Sequence, residues 1–201
     1  MKDRKLAERM AAEQTAAHVA LIGRLGAGWA GTLADVAQLV ISSLCAGGKV
    51  LLAGNGGSAA DAQHVAAELV GRFRRERKAF PAIALTTDSS ILTAVGNDYA
   101  FDNIFARQVE ALARPGDVLW LFSTSGNSAN VLRAAEAGRK RGATIVAFTG
   151  GDGGRLAGLA EAALVVPDAA TALIQEGHAL AYHIVCDLVE MTLGPEPEIS
   201  G

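Results

Sequence analysis

At 201 residues, half of them apolar, the chain is long enough for one well-cored domain and short for two. Its 18 Lys and Arg against 21 Asp and Glu leave a net charge of −3, with no basic excess that would point to nucleic acid as a partner. Two cysteines, Cys45 and Cys186, neither in a C-x-x-C pair, exclude a disulfide framework and fit a reduced compartment.

The charged start Met1-Lys2-Asp3-Arg4-Lys5 does not read as a signal peptide, and no apolar run reaches transmembrane length without Gly or charge, so a cytoplasmic protein with no membrane partner is expected. Helical spacing of apolar and alanine positions predicts helices from about Lys5 to Ile22 and from Trp29 to Leu44, the second ended by Gly47-Gly48. Both precede any strand, so they need a surface to pack on besides their own sheet, and oligomerisation is expected to provide it. His18 reads as a face residue of the first helix.

An apolar run from Lys49 to Ala53 reads as a buried strand. It stops at Gly54-Asn55-Gly56-Gly57, and a helical pattern begins at Ser58. Such a turn lets backbone N–H groups and the positive end of a helix approach an anion, phosphate above all. It is neither G-x-G-x-x-G nor a Walker loop, and an ordinary turn capped by Ser58, with Asp61 in the capping-box position, reads equally well. His64 and Glu68, four residues apart, share one helix face. They can ligate one metal ion or act as acid and base on a ligand held by the turn, although a plain surface pair has the same spacing.

The basic run Arg72-Phe73-Arg74-Arg75-Glu76-Arg77-Lys78 reads as a solvated loop, with a contribution of positive potential to a phosphorylated substrate as the alternative. A second strand is expected over Ala82 to Leu85. A short helix follows from Ser89, ending at a polar corner Gly96-Asn97-Asp98, and another helix from Phe101 to Leu112. The third strand, Asp117 to Phe122, leads into Ser123-Thr124-Ser125-Gly126-Asn127-Ser128 and a helix from about Ala129 to Arg141. Four hydroxyls in six residues exceed what capping requires and make a second anion cradle. Strands over Thr144 to Thr149 and Ala163 to Val166 precede a last helix from Thr171 to about Met191, carrying Gln175, Glu176, His178 and His183. The tail over 194–201 is expected to fray.

Five short apolar strands alternating with helices give an α/β fold with a parallel sheet flanked by helices, and ligands bind such sheets outside the carboxyl ends of the strands, near the switch point. Both Ser/Gly-rich turns lie at such ends. Gln175 and His183 stand about 12 Å apart along one helix, too far to ligate one ion together from the same chain, so a site shared between subunits is expected. Packing among Val185, Cys186 and Leu188 is the plainer reading of His183, and His178 is read as structural.

Gly54-Asn55-Gly56-Gly57-Ser58 with His64 and Glu68, Gly96-Asn97-Asp98, Ser123 to Ser128, and Ile174-Gln175-Glu176-Gly177-His178 with His183 together resemble the phosphoheptose isomerases of the SIS (sugar isomerase) family. The likeness runs from the amino-terminal helices to about Leu193. It implies one flavodoxin-like SIS domain over 1–193, including amino-terminal helices over 1–47, and a homotetramer with sites between subunits. It also implies conversion of sedoheptulose 7-phosphate to D-glycero-D-manno-heptose 7-phosphate, the first step towards the heptose of lipopolysaccharide and related glycans.

By that resemblance Asn55, Gly56, Gly57, Ser58, Asn97 and Asp98 are substrate-binding positions, and Ser123, Thr124, Ser125 and Ser128 hold the phosphate. Glu68 is the base and His183 the acid, His64, Glu68, Gln175 and His183 match zinc ligands, and Gln175 and Glu68 also match substrate contacts. The chain departs from many relatives in reading Ala172-Leu173 where a charged residue precedes Ile-Gln-Glu. Two rivals share the anion-binding turns: a non-catalytic SIS protein that binds the replication initiator, and an isomerase of another sugar phosphate. Glu68 and His183 speak against the first rival.

Overall fold

The computed structural model describes residues 3–194, apart from the side chain of Ala27. Five strands form one parallel sheet: β1 (Val50–Ala53), β2 (Ala82–Ala84), β3 (Val118–Ser123), β4 (Thr144–Gly150) and β5 (Ala162–Val166), in the order β2-β1-β3-β4-β5. Parallel strands need crossover connections, and helices supply them: α3 (Gly57–Val70), α4 (Ser89–Asp98), α5 (Ala106–Leu112), α6 (Ala129–Lys140), a short α7 (Gly154–Ala157) and α8 (Thr171–Leu193). Two further helices, α1 (Arg4–Arg24) and α2 (Ala27–Cys45), precede the sheet.

Burial on both faces explains why β1 and β3 read as continuous apolar runs. Val50, Leu52, Val118, Trp120 and Phe122 pack towards α2, α3 and α8, whereas Leu51, Ala53, Leu119 and Leu121 pack towards α5 and α6. At the amino-terminal edge, buried Asp117 accepts the N–H groups of Lys49 and Arg114 and pairs with the Lys49 ammonium. That carboxylate ties β1 to β3 at the end opposite the two Ser/Gly-rich turns.

The outer helices are less covered. Leu21 is the only fully buried residue of α1 among those described, packing with Val166 and Ile174, while Leu6, Met10 and Val19 are exposed. His18 bonds Glu176 at 2.6 Å and Arg24 pairs with Asp168, so α1 is fastened to α8 and to the loop before it largely through polar contacts. No described residue of α4 is buried, and Ile91, Tyr99 and Phe101 lie exposed in or near it. No helix among the described residues is long and apolar enough to cross a membrane.

Several expectations need correction. The segment 101–112 is not one helix: a 3₁₀ turn over Phe101–Asn103 and a break at Ile104-Phe105, both buried, precede α5. The Gly96-Asn97-Asp98 corner is the last turn of α4 rather than its end, because Tyr99 N–H still bonds Val95 carbonyl. Helix α3 begins at Gly57, with Gly56 at its cap and no side-chain capping bond, so the turn capped by Ser58 is not formed. Helix α7, between β4 and β5, is not among the helices expected from the sequence; it begins at the end of the glycine-rich stretch Gly150-Gly151-Asp152-Gly153-Gly154. The expected tail lies, from residue 195 on, outside the described residues.

His178 is fully buried on α8 among Phe122 and Phe148, and its Nε2–H donates to the Thr149 carbonyl at 2.9 Å. Burial pushes the imidazole down to about 4 from an ordinary 6.5, the Thr149 bond opposing only in part. The unfolded chain therefore binds this proton more readily, and stability is lost as pH falls from about 6.5 towards 4, by roughly 3 kcal/mol at most. Urea titrations of wild type and His178→Asn at pH 7 and 4.5 check this, the variant being expected to lose that component of the pH dependence. Equal acid sensitivity in the two proteins would contradict it.

Candidate active site

The strand order reverses between β1 and β3, so the turns after these neighbouring strands open side by side at the sheet's carboxyl edge. Gly56 adopts φ 56° and ψ −121°, a conformation essentially reserved for glycine, which brings the chain from Asn55 into α3 within one residue. At Gly57 the Gln175 side chain of α8 lies so close that a Cβ would collide with it. Ser58 is buried beneath the turn, while Asn55 is half-buried.

The second turn is held by its own bonds. Ser123 and Ser128 hydroxyls lie 3.1 Å apart, and Ser125 Oγ accepts the Asn127 N–H. The Asn127 amide then donates to the Ser125 carbonyl and accepts Arg155 N–H from α7. Thr124, Ser125 and Ser128 keep access to solvent, whereas Ser123 is buried. The two turns are joined by a reciprocal amide pair, Asn55 Nδ2–H to Asn130 Oδ1 at 2.9 Å and Asn130 Nδ2–H to Asn55 Oδ1 at 2.8 Å.

Further along α3, His64 Nε2 lies 3.0 Å from Glu68 Oε1 and 3.4 Å from His183 Nε2. The ligand atoms of all three residues fall within 4.8 Å of one another. Glu68 and His183, far apart in sequence, thus meet across α3 and α8. The Tyr182 hydroxyl bonds His64 Nδ1 at 3.1 Å, and the Phe73 ring stacks on His183 with centroids 5.5 Å apart. Burial pushes the Tyr182 phenol up to about 12, with Asp61 adding to it, so the hydroxyl keeps its proton. Burial and His64 hold the His183 imidazole below the usual histidine range against the pull of Glu68, with Arg74 adding to the depression. A neutral ring there is ready either to ligate or to exchange a proton.

Gln175 does not reach this group within one chain. It stands at the mouth of the first turn, eight residues before His183 on the same helix and so about 12 Å away along the axis. Asn97 and Asp98 are exposed at the end of α4, where Asn97 Nδ2–H donates to Asp98 Oδ1 at 2.9 Å, and they hydrogen-bond none of the other candidate residues.

The SIS domain family matches residues 15–150. The phosphoheptose isomerase of Pelobacter propionicus is 58% identical over 161 residues, covering 80% of this chain and 85% of that one. The chain belongs to the phosphoheptose isomerase family of SIS-domain proteins. Solved structures of phosphoheptose isomerases agree: that of Neisseria gonorrhoeae has a TM-score of 0.86 at 45% identity, and that of Francisella tularensis 0.89 at 37%. Each covers 92% of this chain and is itself 98% covered.

For a family of isomerases, His64, Glu68 and His183 form a donor set that fits a metal ion. Two imidazoles and a carboxylate with an open fourth position suit a catalytic divalent site, and the Tyr182 hydroxyl on His64 Nδ1 is the kind of outer partner that orients a ligating histidine.

Several residues around the site escape a reading by motif. Asp61, legible only as a capping residue, is half-buried with Oδ2 lacking a hydrogen-bond partner, and burial raises its carboxyl to about 6 despite nearby His64 and Tyr182. Tyr182 was signalled only by its place beside His183. Asn130 was signalled by an amide where the first turn of a helix faces the core.

The basic run is the exposed loop expected at Arg72, Arg74, Glu76 and Lys78, but it is anchored in a way the expectation lacked: the N–H groups of Phe73, Arg74 and Arg75 converge on the Glu190 carboxylate at 2.7–2.9 Å, and Arg77 Nε lies 3.2 Å from it. Both side chains of that pair are only 1% exposed. Burial alone would raise the Glu190 carboxyl, but the three N–H groups and Arg77 outweigh it and hold it below the usual range. The Arg77 guanidinium also donates to the carbonyls of Glu68, Leu69 and Gly71 at the end of α3, and lies over Phe80. The run therefore caps the helix that carries Glu68 and sets Phe73 on His183. Glu190→Gln is expected to cost about 3 kcal/mol or more of stability, since it leaves the buried Arg77 charge uncompensated. Arg72→Ala, at an exposed side chain, is expected to change stability by less than about 0.5 kcal/mol in the same denaturation measurement.

Proposed function

We infer that the protein is an aldose–ketose isomerase that interconverts sedoheptulose 7-phosphate and D-glycero-D-manno-heptose 7-phosphate. The observation that carries this reading is the meeting of Glu68 and His183 within 4.8 Å, in a chain of the phosphoheptose isomerase family. The reaction moves a proton between C1 and C2 through a cis-enediolate, so it needs one base for carbon and one acid for oxygen.

In this reading Glu68 takes the proton from C1 and returns it at C2. His183 gives a proton to O2 and removes one from O1, so the protons balance and no redox partner is needed. Asn55, Gly56, Gly57 and Ser58 line the sugar's approach, with Asn97, Asp98 and Gln175 as further contacts. Ser123, Thr124, Ser125 and Ser128 receive the phosphoryl group, whose binding positions the reacting carbons.

We assign the metal as zinc, which His64, Glu68 and His183 would hold; because ligation lowers the basicity of a carboxylate and occupies an imidazole nitrogen, Glu68 and His183 act on protons only where they are not its tight ligands. Bound there, zinc supplies Lewis-acid polarisation of the sugar oxygens. Gln175 completes the set only from a neighbouring subunit, because its own helix carries it away from His183. A homotetramer with sites between subunits is supported by the uncovered face of α4 and by the exposed apolar residues of α1. The rival of a non-catalytic SIS protein binding the replication initiator is not favoured, since nothing in such binding calls for a paired acid and base.

Turnover of sedoheptulose 7-phosphate is the direct test. Glu68→Gln and His183→Ala are each expected to lower kcat by about 10²–10⁴, with a much smaller change in KM. Turnover by Glu68→Gln at the parental rate would remove the proposed base. For the metal, equilibrium dialysis is expected to give one zinc per chain in wild type and a loss of tight binding in His64→Ala. Light scattering is expected to give four chains per particle.

A further inference from the structure

Asn55 sits between Gly54 and Gly56, so its chain neighbours offer no side chain to hold it. Among the described residues, its side chain hydrogen-bonds only Asn130. The two members of the pair differ in setting: Asn130 is 3% exposed in the first turn of α6, whereas Asn55 is half-buried at the mouth of the first turn. The buried amide is enclosed by packing and the outer one is not, so Asn130 is the more confined member of the pair.

We propose that Asn130 is a positioning residue for substrate binding, holding the Asn55 amide across the gap between the β1 and β3 turns in the plane in which its remaining donor and acceptor face the sugar. The pairing is self-complementary: a flip of one amide alone sets donor against donor and acceptor against acceptor, losing both bonds at once, so the two planes are locked together. Each amide in the pair uses one N–H and one lone pair. Asn55 therefore keeps one N–H and one acceptor site for a polyol, a donor–acceptor combination that matches a sugar hydroxyl. The phosphate cradle needs no such support, because Ser123, Ser125, Asn127 and Ser128 are bonded among themselves and to Arg155. The effect of Asn130 is therefore confined to the sugar.

This inference rests on the reading of Asn55 as a substrate contact, and the test separates the two. Asn130→Ala, Asn55→Ala and the double variant are assayed for KM and kcat with sedoheptulose 7-phosphate, and for Kd of inorganic phosphate. Asn130→Asp, which keeps the shape but sets an acceptor oxygen against Asn55 Oδ1, is assayed beside them, and melting temperatures recorded for all guard against a folding defect. Each alanine variant is expected to raise KM by about tenfold or more, with the double variant little worse than either single one. Phosphate binding is expected to change by less than about threefold, and Asn130→Asp to follow Asn130→Ala in direction.

A normal KM in Asn130→Ala beside a raised KM in Asn55→Ala would reduce the pair to packing and overturn the proposal. Equal weakening of sugar and inorganic phosphate would overturn it too, placing the effect of Asn130 on the second turn. An unchanged KM in Asn55→Ala would remove Asn55 from the substrate site, and the proposal with it, while leaving the assignment of Glu68 and His183 standing.

Discussion

The site depends on one topological constraint, the reversal of strand order between β1 and β3. Crossovers leave these two neighbours in opposite directions, so no helix covers the space above their carboxyl ends. Two turns rich in free N–H and hydroxyl groups are left facing each other there, at the positive ends of α3 and α6.

Helix α8 supplies what the sheet does not. Over 23 residues it places Gln175 against the first turn, His178 in the core, His183 beside His64 and Glu68, and Glu190 under the basic run. Since these side chains ride on one rod, their separations along it are set by helical rise, and only the packing of α8 on α3 decides which can meet. Buried Val185 and Val189 and the close fit of Gln175 on Gly57 fix that packing. The union of Glu68 and His183 is therefore a property of helix packing, buttressed by the basic run at the end of α3.

How much of this was legible follows from the physics each residue obeys. Strands wholly buried on two faces announce themselves as apolar runs, and the glycine turns announce a need for unusual backbone, so the parallel sheet and both turns could be read in order. His64 and Glu68 share a face by local spacing alone, and the rise of α8 already separated Gln175 from His183. What could not be read was long-range pairing. Nothing local in Arg77 says that an acid more than a hundred residues away will bury it, and nothing in Asn130 names Asn55 as its mate. Helix α7 was hidden because Gly153 and Gly154 take positive φ, a backbone that composition assigns to a loop.

The Glu190 cradle carries a consequence for how this chain can vary. A carboxylate that satisfies three consecutive amides and a guanidinium makes the basic segment and the last turns of α8 a single inheritable unit. A graft that carries the 72–78 strip of this chain into a host without a carboxylate at position 190 would bring in a cation with no counterpart, and the end of the α3 rod would loosen beside the carboxylate it presents.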